Sequence, residues 1–172
     1  MRGAVALTMR RHAAVALGAA AVLAGPVAAK EFGVASQDEI VAGARSCVAS
    51  VGPAGLDEAH LVADGWSKGA MTSKDGKPVA SDLIVYGKGN LMMLSTRAAG
   101  LCTVTARIAS VRAFPGIQSA MASAYGAPFK DDGKGEQFFQ APDHRFIDLA
   151  STGSKDRPAV RVAVGYVSQE SK

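Results

Sequence analysis

Residues Leu101 to Ile108, LCTVTARI, decide the fold. Cys102, Val104, Ala106 and Ile108 fall on one side of an extended chain and Thr103, Thr105 and Arg107 on the other, the period-two pattern of a sheet with one covered face. Such a strand needs neighbours that alternate in step with it, and it needs an amphipathic layer over its apolar side. Both are present in the flanking sequence.

Upstream, Leu83-Ile84-Val85-Tyr86, the turn Gly87-Lys88-Gly89-Asn90 and Leu91-Met92-Met93-Leu94 predict a hairpin. Downstream, Phe138-Phe139 and Arg145 to Leu149 flank the Ala141-Pro142-Asp143-His144 turn as a second hairpin. A final strand from Ala159 to Val167 alternates Val160, Val162, Val164 and Tyr166 against Arg161, Ala163 and Gly165.

The covering layer is helical. Ser36 followed three residues later by Glu39 forms a capping box, after which Ile40, Ala44, Cys47, Val48 and Val51 make one helical face that Gly52-Pro53 ends. A shorter helix is expected from about Leu56 to Asp64, with Gly65 as a left-handed cap and Trp66 folding back over Leu61. A third, from about Pro115 to Tyr125, carries Ile117, Ala120, Met121 and Ala124 on one side. Between the second helix and the first hairpin, SKGAMTSKDGKPVAS (67–81) reads as a long exposed connection with a short strand near Ala70 and Met71. The expectation is one α+β domain in the order α-α-β-β-β-α-β-β-β. Its largely antiparallel sheet has about five to six strands, with two N-terminal helices and one central helix.

The first thirty residues address the chain. Arg2, Arg10 and Arg11 precede an uncharged run from Ala13 to Gly25, Pro26 breaks it, and Val27-Ala28-Ala29 offers small residues to a signal peptidase. Residues 1–29 are thus expected to be a cleaved secretory signal and 30–172 a single exported domain, periplasmic or extracellular. The apolar run is too short for a stable membrane anchor. Pro26 stands where a lipid-accepting cysteine would have to be, and Arg10-Arg11 lacks the apolar pair of a twin-arginine signal.

Removing that segment changes the charge. The chain has 19 Lys and Arg against 15 Asp and Glu, but the first 29 residues hold three Arg and no acid, which leaves 16 against 15. A nearly neutral domain gives no support to nucleic-acid binding or to an acidic membrane surface.

Chemistry is sparse. The two cysteines, Cys47 on the apolar helix face and Cys102 on the covered side of the strand, point into one core and predict a disulfide in an oxidising compartment. Neither belongs to a Cys-x-x-Cys motif or has further ligands at metal spacing. There is no G-x-S-x-G, and Gly87 to Gly89 and Gly133 to Gly135 lack phosphate-loop spacing. Asp131-Asp132-Gly133 with Glu136 misses the alternating oxygens of a calcium loop. No metal or cofactor is implied.

These readings favour a non-catalytic binding or accessory module of a bacterial envelope. Its partner would be a protein, glycan or small ligand, met through Trp66, Lys74, Thr103, Thr105 and Arg107. Two alternatives are a small hydrolase assembled from His60, Asp82, Asp143 and His144, and a carrier holding an apolar ligand between the central helix and the sheet.

Overall fold

In the computed structural model, which describes residues 32–79, 81–96 and 100–167, the LCTVTARI strand lies at the centre of an eight-stranded sheet. The expected signal segment, 1–29, lies outside the described residues. Every strand pair in that sheet is antiparallel.

The chain begins with α1 (Gln37–Ser50), whose capping box forms as expected. The Ser36 Oγ accepts from the Glu39 N–H at 3.2 Å, and the Glu39 carboxylate accepts from the Ser36 N–H at 2.8 Å. The helix stops just short of Gly52-Pro53, because β1 (Val51–Gly52) turns back to pair with β2 (Gly55–Leu56). Helix α2 (Glu58–Ala63) follows, capped by Asp57. Gly65, at φ 86°, lets the chain close a Schellman turn in which Gly65 N–H donates to Val62 and Trp66 N–H to Leu61. Trp66 is thereby folded into the core at 2 % exposure.

Two meanders build the sheet. The first is β3 (Ser67–Gly69), β4 (Leu83–Lys88), β5 (Leu91–Thr96) and β6 (Leu101–Arg107). A 3-10 turn (Val111–Ala113) and α3 (Phe114–Tyr125) lead into the second, β7 (Lys130–Asp131), β8 (Glu136–Ala141), β9 (Arg145–Gly153) and β10 (Pro158–Tyr166). The strand order is β3-β4-β5-β6-β10-β9-β8-β7, so the last strand of each meander meets the other in the middle. In that seam Val162 pairs with Val104 and Val164 with Cys102.

One face of the sheet is covered. Ile84, Tyr86, Leu91, Met93, Cys102, Val104, Val160, Val162, Val164, Ile147, Leu149 and Phe139 join Ile40, Ala44, Cys47, Ile117 and Met121 in a single buried cluster. Close packing of α1 depends on Gly43, where a Cβ would come within 2.9 Å of Leu91 and 3.2 Å of Val104. Cys47 and Cys102 are joined by a disulfide, with both residues fully buried and their α-carbons 5.6 Å apart, so α1 is bonded to the central strand it covers.

The α+β class and the antiparallel sheet agree with the sequence reading, while the strand count exceeds it. The additional pieces, β1, β2, β3 and β7, have two or three residues each, too few for a period-two pattern to register. The short strand expected near Ala70 and Met71 forms at Ser67–Gly69 instead.

Candidate functional site

The side of the sheet opposite the described helices presents rows of outward side chains across six strands. On it Val85, Leu94, Thr103, Ala163, Asp148 and Phe138 stand abreast, one per strand from β4 to β8. The neighbouring row runs Met92, Thr105, Arg161, Ala150 and Glu136. Most of these side chains are half-buried, and none of the described helices packs over them. Thr103, Thr105 and Arg107 therefore lie together here, and Arg107 holds the carbonyl of Phe32 at 3.4 Å.

The two halves of this face differ. On the β4–β6 side Val85, Met92 and Leu94 make an apolar patch beside Thr103 and Thr105, with the more exposed Leu83 and Leu101, at 45 % and 40 %, one row further along and Arg107 at the opposite end. On the β8–β10 side Arg161 bonds Asp148 at 2.6 Å and Glu136 at 3.4 Å. Burial raises the Asp148 carboxyl above its ordinary range; the Arg161 charge opposes this shift and Glu136 adds to it.

The 67–81 connection is more ordered than its composition suggests. Thr72 bridges Pro78, Val79 N–H donates to Met71 at 2.9 Å, and Ser73 and Lys77 close the tip, which carries Lys74. Beside this small loop, Met71, Val79, Leu83 and Ile84 line a cleft of ≈ 330 Å³. Leu83 also belongs to the open sheet face, so the two surfaces are continuous.

A third feature lies on the helical side. Ser46, buried on α1, donates its hydroxyl to the Asp64 carboxylate at the end of α2, and Lys88 from the β4–β5 hairpin bonds the same oxygen at 3.2 Å. The Ser46 hydrogen bond, assisted by Lys88, holds Asp64 below its ordinary value. The contact joins α1 to α2 and, through Lys88, to the β4–β5 hairpin, so the arrangement acts as a latch between two helices. A parallel contact ties α2 to the sheet, where Glu58 accepts from the Tyr86 hydroxyl at 2.7 Å and from Lys68 at 2.6 Å. Sequence reading missed both groups because their members are 18, 10 and 28 residues apart. One signal was available: Ser46 stands directly beside Cys47 on the helix.

The remaining candidates separate. Trp66, expected among the contact residues, is sealed over Leu61 and offers a partner no surface. His60 lines a cleft with Ser46 and Asp64, and Asp82 lines the cleft beside Leu83. Asp143 and His144 form the tight turn between β8 and β9, both at positive φ, with the Asp143 carboxylate held by Arg145 at 3.0 Å. No described cleft gathers these four. Asp131 and Asp132 accept from the N–H groups of Gly133, Lys134 and Glu136, so they build a turn.

Among the described residues no group of three His, Cys, Asp or Glu side chains is placed to hold a metal ion, and no helix is long and apolar enough to cross a membrane. No protein-family model matches this chain, and no curated protein or solved structure does either.

Proposed function

We propose that the chain is an exported, non-catalytic binding module of a bacterial envelope, and that its open sheet face receives a protein partner. The observation that carries this reading is the face itself: six strands wide, with no helix over it among the described residues, and with an apolar patch next to charged groups. Such a surface resembles the mixed apolar and polar make-up of protein–protein interfaces. Arg107, Thr103 and Thr105 supply polar contacts, Leu83, Leu94 and Leu101 apolar ones, and Lys74 lies on the adjoining loop. The basic and then apolar N-terminal run supports export, and a buried disulfide is compatible with an oxidising compartment. Against the carrier alternative, Ile117, Met121, Phe139 and Leu149 all belong to the buried cluster between α3 and the sheet.

The test places a photo-crosslinking residue at Thr105 or Leu94 in the native envelope, with Ser119 on α3 as a control, and resolves products without reduction. The same partner is expected from both sheet positions and not from Ser119. It should be lost when Leu94→Glu is combined with the Thr105 probe in a protein that remains folded. Absence of a common partner at the two sheet positions would remove the proposal.

A further inference from the structure

We infer that the cleft between α1 and α2 is a binding site for an oxyanion, a carboxylate or a phosphate group. The cleft, of ≈ 290 Å³, is lined by Ala42, Arg45, Ser46 and Ala49 from α1, by His60 and Asp64 from α2, and by Lys88. Its small floor residues leave room for a ligand group.

The charges do not cancel. Asp64 is the one acid in the lining, and its carboxylate is already occupied by the Ser46 hydroxyl and the Lys88 ammonium. Arg45 and His60, which line the same cleft, have no side-chain hydrogen bond or ion pair among the described residues. The latch thus occupies the one acid in the lining, and it fixes the cleft between helices that are themselves held to the sheet. A guanidinium presents paired N–H groups whose spacing matches the oxygens of a carboxylate or phosphate, and an imidazole adds a further donor. The site lies on the helical layer, so it is independent of the open sheet face.

The experiment titrates the folded, isotope-labelled protein with inorganic phosphate and, separately, with acetate at constant ionic strength, following backbone amides and the His60 ring. Saturable shifts are expected along α1 from Ala42 to Ala49 and at His60. Comparing the two titrations tells which oxyanion the cleft prefers. The double variant Arg45→Gln, His60→Gln should weaken binding by about tenfold or more while leaving sheet amides unchanged. Non-saturating shifts with both anions, or a double variant that binds within about twofold of the parent, would overturn the inference.

Discussion

Opening the Cys47–Cys102 disulfide should cost this protein a large part of its stability. The bond closes a loop with a sequence separation of 55, and in the chain-entropy model a loop of that size restricts the unfolded chain by about 4 kcal/mol. A domain of this size has a net stability of roughly 5–15 kcal/mol, so the loss is felt at once. With a urea dependence of about 2 kcal/mol per molar, the unfolding midpoint should fall by about 2 M. The clean comparison is oxidised against reduced protein, which leaves the same atoms in the core. Replacing both cysteines by alanine adds the cost of a cavity between α1 and β6. Unfolding is followed by Trp66 fluorescence, since this is the single tryptophan and it is buried, and by far-UV circular dichroism. Midpoints within about 0.3 M of each other would refute the reasoning, because the unfolded chain would then gain no freedom from reduction.

Loss of the latch in Ser46→Ala should destabilise the fold by about 1 kcal/mol at neutral pH, a modest figure because Asp64 is 40 % exposed and screened. Asp64 has a lowered folded pKa, so its contribution is present above the ordinary carboxylate range and is lost as pH falls; the gap between Ser46→Ala and parent should close in acid, as read by urea unfolding at several pH values. On the open face, Glu136→Gln should lower the Asp148 titration midpoint and Arg161→Gln should raise it, checked by carbon-detected NMR of the carboxyl. Tyr125, pushed up to about 12 by burial, should ionise late in an alkaline spectrophotometric titration, and because its folded pKa is raised its stabilising share is lost as pH rises from about 10 towards that value; Tyr125→Phe should flatten this alkaline fall. Mass spectrometry of the protein recovered from its native envelope should find an N-terminus at Lys30.

Local and periodic features were readable from sequence, and features assembled by the fold were not. The Ser36–Glu39 capping box, the alternation of Cys102, Val104 and Ala106, and the facing of Cys47 towards Cys102 each follow from residues within one element plus a two-layer packing rule. The edge strand Lys130–Asp131 was missed, and the one at Ser67–Gly69 was expected a few residues too late, because each owes its conformation to its neighbour, β8 or β4. The latch was missed for a related reason: Ser46, Asp64 and Lys88 come from α1, α2 and the β4–β5 hairpin, and nothing in their spacing links them. Trp66 shows the reverse case. Its cap at Gly65 was legible, and following that turn through places the indole inside the core.

The seam between β6 and β10 gives the molecule a particular order of completion. During vectorial emergence of the chain, β6 appears with β5 on one side and a bare hydrogen-bonding edge on the other. That edge stays open until β10, about 50 residues later, arrives to close it. Without β10 the strand pairings divide into two ribbons, β3 to β6 and β7 to β9, and β10 joins them into one continuous sheet. A chain stalled before Pro158 would therefore leave two unmatched edges, at β6 and β9, and β-strand addition by other chains would compete for both.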